Sequence, residues 1–203
     1  MESPRPLAEH EKRDLLRLAR MTAGRALQGA PAPAERENHP KILGRFGGAF
    51  VTFYNGMRLR GCVGTFAPTE DIAETVEQVA IASLVDSRFE DDRITAEELP
   101  RLDIEVSILS NLVPADDPLS LIVGLHGVKV VLRKRAGCFL PKVAVERGWS
   151  AEEFLSYCCA MKAGLPPDAW RNSECQVFLF TADAFREPAP LGGQSGNTAS
   201  RSD

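Results

Sequence analysis

Ala49-Phe50-Val51-Thr52-Phe53-Tyr54-Asn55-Gly56-Met57-Arg58-Leu59-Arg60-Gly61-Cys62-Val63-Gly64 sets two extended runs around an Asn-Gly pair. That arrangement is the strongest short-range signal for a β-hairpin. Alternation along the second run puts Arg58, Arg60, Cys62 and Gly64 on one face and Leu59 and Val63 on the other. With Asn55-Gly56 as the loop, Tyr54 pairs with Met57, Val51 faces Arg60 and Ala49 faces Cys62. A thiol and a guanidinium are therefore expected side by side, opposite a small residue. Gly61 and Gly64 bracket the thiol and allow close approach of a ligand or backbone. Just beyond, Thr69 reads as a helix N-cap, whose free N–H groups would favour an anion. A neighbouring arginine and a helix N-terminus are the features that make a cysteine a thiolate. The plain reading stands beside this one: cysteine is commonly a small buried hydrophobe, Arg60 a surface charge, and the glycines a bulge.

Outward from the hairpin, Leu15, Leu18, Ala19, Thr22 and Ala26 recur at helical spacing, which predicts a first helix over 7–28. Gly29 ends it, and the proline-rich stretch 31–40 reads as a loop. Ile72, Val76, Val79, Ala80 and Ser83 mark one face of a second helix. Thr95-Ala96-Glu97-Glu98 has capping-box form and opens a single turn. Leu102, Ile104, Val106 and Ile108 alternate with Asp103, Glu105 and Ser107, the pattern of a half-buried strand. Residues 128–132 and 138–140 read as two strands joined around Gly137. Ser150-Ala151-Glu152-Glu153 caps a helix running to Ala163, ended by Gly164. Residues 175–180 form a closing strand, and from Glu187 onward the composition predicts a disordered tail. Strands gathered in hairpins predict an α+β fold, mainly an antiparallel sheet flanked by helices.

The chain has 203 residues, 44% of them apolar, a net charge of −4 and a pI near 5.5. Its scattered basic residues argue against a nucleic-acid footprint. No run approaches the ~18 apolar residues of a membrane span, and Met1-Glu2-Ser3-Pro4 does not open a signal peptide. Cys62, Cys138, Cys158, Cys159 and Cys175 form an odd set without a Cys-x-x-Cys pair, so they read as reduced thiols in a cytoplasmic protein. His10, His39 and His126 show no zinc-ligand spacing with them, and neither metal nor cofactor is expected.

Leu59-Arg60-Gly61-Cys62-Val63-Gly64-Thr65-Phe66 resembles the signature of the AMMECR domain family, known in bacteria and archaea as AmmeMemoRadiSam system protein A. The resemblance continues in order through Asp86-Ser87-Arg88-Phe89, Ile104-Glu105-Val106-Ser107-Ile108-Leu109 and Gly124-Leu125-His126-Gly127. It extends through Leu140-Pro141-Lys142-Val143, Gly148-Trp149, Glu153-Phe154-Leu155 and Lys162-Ala163-Gly164-Leu165-Pro166. It spans roughly residues 7–186 and implies a two-lobed fold with a smaller appended lobe and a cleft lined by the Arg-Gly-Cys motif; with the composition of the tail at 187–203, one domain is expected over 1–186. It also implies Memo-like and radical-SAM proteins as partners. Two departures bear on ligand polarity: Lys142 stands where many relatives have Gln, and the turn 133–138 is unusually basic.

Two functions follow. In the first, the cleft around Arg60, Gly61, Cys62 and Gly64 binds a small anion, with Cys62 as a thiolate nucleophile. Arg88 would assist the anion, His126 would serve as acid or base, and Glu105 would orient Arg60. For each a simpler role competes: Arg88 as a helix cap, His126 as a local hydrogen-bonder, Glu105 as a solvated charge. In the second, the chain is a non-catalytic adaptor for a protein partner, consistent with the lack of a complete triad, phosphate loop or metal set.

Overall fold

A computed structural model of the chain describes residues 6–30, 42–44 and 46–187. The loop expected at 31–40 and the tail beyond 187 lie outside them. The first lobe holds helix α1 (Glu9–Leu27), strands β1 (Gly48–Asn55) and β2 (Arg58–Thr65), helix α2 (Ile72–Leu84) and strand β3 (Asp103–Leu109). The second holds β4 (Val113–Pro114), β5 (Gly127–Leu132), β6 (Arg135–Phe139), α3 (Pro141–Arg147), α4 (Ala151–Tyr157) and β7 (Gln176–Phe180). Strand β8 (Ala182–Arg186) returns to the first lobe. The strands form two four-stranded antiparallel sheets, ordered β2-β1-β3-β8 and β4-β7-β5-β6. The α+β expectation holds, and the two lobes are two sheets, each with its own apolar cluster.

One face of the first sheet packs Val51, Phe53, Ile104, Val106 and Ile108 against Leu15, Ala19, Ile72, Val76 and Ala80 of α1 and α2. The other face, carrying Phe50, Thr52, Glu105 and Ser107, turns toward the second lobe. Strand β3 is thus buried on both faces, with Glu105 and Ser107 among its buried residues. The half-buried expectation fails there because a second layer, unseen in the alternation, covers the polar face. The lobes are tied where Ser110 N–H donates to the Thr181 carbonyl at 3.0 Å and Thr181 N–H donates to Ser110 Oγ at 2.9 Å. A ladder of edge-to-face rings, Phe50 to Phe66 to Phe180, crosses the same boundary.

Several local expectations shift. Asp71, accepting from Ala73 N–H, caps α2 in place of Thr69. The β5–β6 turn lies at Arg133, whose φ of 56° is left-handed, while Gly137 sits inside β6. Residues 158–163 continue α4 as a wider π-type turn that ends at Gly164. Glu187, assigned to the tail, belongs to the fold: it accepts from Arg20 Nε at 2.8 Å, and its own N–H donates to the Ile104 carbonyl.

Candidate functional site

The hairpin forms, but its register differs from the expected one. Asn55 pairs with Arg58 around Gly56 and Met57, with Gly56 at φ 60°. A bulge follows: Tyr54 pairs with Leu59 and Phe53 with Gly61, leaving Arg60 without an opposite residue. Beyond it Cys62 faces Thr52, where Ala49 was expected. One inserted residue reverses the alternation. Leu59, Cys62 and Gly64 keep the face turned to the second lobe, and Arg60 goes to the other.

There Arg60 is buried, at 3% exposure. Its Nε and Nη2 donate to the Glu98 carboxylate at 2.6 and 2.8 Å, and its Nη1 donates to the Asp92 carbonyl and carboxylate at 3.0 Å. The expected Arg60–Cys62 pair on one face is therefore corrected. Arg60 holds the 92–98 segment, and the Glu98 hydrogen bond in turn keeps that carboxyl below its usual range. The helix terminus is corrected as well. Gly61 and Val63 lie against Ser83, in the last turn of α2: a Cβ on Gly61 would stand 2.2 Å from the Ser83 carbonyl oxygen, and Ser83 Oγ accepts from Val63 N–H at 2.9 Å.

Cys62 lines an open cavity of about 610 Å³ between the two sheets. From the first lobe come Phe50, Thr52, Tyr54, Leu59, Gly64 and Arg88; from the second come Cys138, Leu140, Lys142, Glu146, Arg147 and Lys162. Thr52 Oγ1 donates to Cys62 Sγ at 3.2 Å and fixes the sulfur. Gly64 is needed by close packing, since a Cβ there would lie 2.2 Å from the Phe50 ring. Strand β2 is a sheet edge, and the backbone of Cys62 on that edge is held by side chains. Asp86 Oδ2 accepts from Cys62 N–H at 3.0 Å, while Arg88 Nη2 donates to the Cys62 carbonyl at 2.9 Å and to Asp86 at 2.6 Å. Burial would raise the Asp86 carboxyl, but the Arg88 side chain and two backbone N–H groups hold it below its ordinary value.

Glu105 does not orient Arg60. It faces the second lobe and forms an ion pair with Lys142, which also donates to Tyr54 Oη at 3.2 Å. Burial is the largest single influence and lowers the Lys142 ammonium, but its hydrogen bond to Glu105, the Glu105 charge and Tyr54 together raise it on balance. His126 Nδ1 accepts from Ile122 N–H at 3.1 Å within its own turn, and His126 is absent from the cavity lining. Among the described residues no three His, Cys, Asp or Glu side chains converge as metal ligands, and no helix is long and apolar enough to cross a membrane.

The sequence reading missed Thr52, Tyr54, Cys138, Arg147 and Lys162 as lining residues. Thr52 was legible only with the bulge in hand; Arg147 and Lys162 come from helices of the other lobe, which no local pattern ties to Cys62. Of the basic 133–138 turn, only Gly137 and Cys138 reach the cavity, while Arg133 pairs outside it with Glu174.

The AMMECR1 family model matches residues 16–185 of the chain. A protein of Methanothermobacter thermautotrophicus is 37% identical over 189 residues, covering 90% of this chain and 97% of its own. A protein of Thermococcus kodakarensis is likewise 37% identical over 189 residues, covering 88% of this chain and 91% of its own. The crystal structure of an uncharacterised protein from Pyrococcus horikoshii superposes with a TM-score of 0.81 at 35% identity, covering 92% of this chain and 96% of that one. The chain belongs to the AMMECR1 family.

Proposed function

We propose that this AMMECR1-family protein binds a small organic anion in the cavity between its sheets, with Cys62 as the group presented to it. The observation that carries the reading is the charge of the lining: Arg88, Lys142, Arg147 and Lys162 against the single carboxylate of Glu146. Arg88 and Lys142 are already paired with Asp86 and Glu105, whereas Arg147 and Lys162 have no carboxylate partner among the described residues. A bound carboxylate or phosphate would supply one, through charge-assisted hydrogen bonds. As nucleophile, the Cys62 thiolate would add to an electrophilic carbon of the bound acid, the displaced electron pair moving to an oxygen held by the cations. Calorimetric titration with inorganic phosphate tests the anion site. Binding that weakens as sodium chloride is raised is expected; absence of binding at low salt would sink the reading.

A second reading, an adaptor for a Memo-like or radical-SAM protein, is favoured by the surface beside α3. Leu119, Ile122, Val123 and Leu125 on one loop, with Val145 of α3, are exposed apolar side chains, and such clusters on a surface mark contact sites. Co-purification with either partner from the same cell, lost on Ile122→Asp, is the expected result; retention of the partner by that variant would count against it.

A further inference from the structure

Ser107 Oγ is the one buried side-chain oxygen or nitrogen among the described residues without a hydrogen-bond partner, in a residue only 1% exposed. An unmet buried hydroxyl is destabilising, so its surroundings bear on its use. In the register of β3, Ser107 lies between Phe50 of β1 and Ala184 of β8, on the face that Thr52 and Glu105 share. It lines a second hollow of about 290 Å³, whose walls are chiefly apolar: Leu140, Pro141, Val145, Ala182 and Ala184. This hollow and the Cys62 cavity have Leu140, Lys142 and Glu146 in common. The Glu105–Lys142 ion pair stands at that shared wall. Ser107 is two strands from Cys62, about 10 Å across the sheet.

We propose that the smaller hollow is a second compartment of the same site, taking a short apolar arm that carries one hydrogen-bonding atom, a hydroxyl or carbonyl, for Ser107 Oγ. The proposal rests on the anion reading for what fills the first compartment. The ligand class that fits both is an amphiphilic organic acid: its charged end lies among Arg147 and Lys162, its arm passes the Lys142 wall, and the arm's polar atom ends against Ser107. Apolar walls supply affinity in proportion to the carbon they cover, and a single buried hydroxyl supplies selectivity.

The test titrates the full chain with inorganic phosphate, octyl phosphate and 1-pentanol. It follows the backbone amides of Ser107, Ala182 and Ala184 beside those of Cys62 and Lys162 by NMR. Phosphate is expected to shift only the second group. Octyl phosphate should shift both groups and bind about tenfold more tightly than phosphate, the gain of two or so buried methylenes. Pentanol should shift the first group, about fivefold more weakly in Ser107→Ala. Ala184→Leu, which fills the hollow from an exposed edge position, should abolish the octyl gain and leave phosphate affinity unchanged. If phosphate binds, octyl phosphate gains nothing and pentanol moves none of the three amides, the second compartment is overturned and the anion site stands. If pentanol moves them while neither phosphate binds, the compartment stands and the anion site is overturned.

Discussion

Arg60 and Glu98 meet in a two-pronged ion pair, at 2.6 and 2.8 Å, on the face of the first sheet turned away from Cys62. Removing one partner of a buried pair leaves the other charge without compensation, at a cost of about 3 kcal/mol or more. Arg60→Ala should therefore lower the free energy of unfolding, measured in urea, by that much while the phosphate affinity of the folded protein stays unchanged. A variant that kept its stability and lost phosphate binding would return this guanidinium to the cavity.

Asp86 holds the outer edge of β2 as a carboxylate kept below its ordinary value. A group whose folded value is depressed stabilises the fold above its unfolded value, near 3.9 for Asp, and loses that contribution as pH falls through the folded value. The wild type should lose thermal stability below about pH 4, and Asp86→Asn should be less stable near neutrality with a flatter acid limb. Parallel limbs in the two proteins would show that Asp86 does not contribute this way.

Iodoacetamide near neutral pH should label Cys62 before any other cysteine. Burial pushes the Cys138 and Cys159 thiols up to about 11, and raises Cys158 and Cys175 as well. Reaction requires thiolate and access together. Phosphate should slow labelling of Cys62, and of Cys138 in the same cavity, and leave Cys159 and Cys175 unchanged. Mass spectrometry showing Cys138 or Cys175 modified first would contradict this order.

Lys162→Ala and Arg147→Ala should each weaken phosphate binding about tenfold, the loss of one charge-assisted hydrogen bond. Arg133→Ala should change nothing, since Arg133 pairs with Glu174 outside the cavity. Equal losses in all three would reduce the effect to overall charge.

Gly61→Ala should destabilise the first lobe by about 1–3 kcal/mol, because the added methyl meets the Ser83 backbone, which cannot rotate away. Denaturant unfolding that shows no loss would mean that α2 and β2 separate more easily than their packing indicates.

The legible part of the site was what short-range chemistry governs. Asn55-Gly56 marked the hairpin, Ser150 and Glu153 formed the expected capping box, and the run around Cys62 is the strand its composition indicated. What failed was parity. Strict alternation put Arg60 beside Cys62, but a buried guanidinium takes the carboxylates that satisfy it, and Glu98 and Asp92 lie across α2, more than thirty residues on. The bulge at Arg60 lets the strand serve both demands. Likewise Glu105 and Ser107 read as solvent-facing because nothing local announces a second sheet above them.

Residue order alone was enough for the α+β class, the hairpin and the position of the thiol, since turn preferences, caps and periodicity act over a few residues. Which charges share the cavity with Cys62 was decided only when the two sheets packed together. Lys142, Arg147 and Lys162 reach it from the other lobe, and side-chain partners across such distances depend on the burial and pairing of the whole chain.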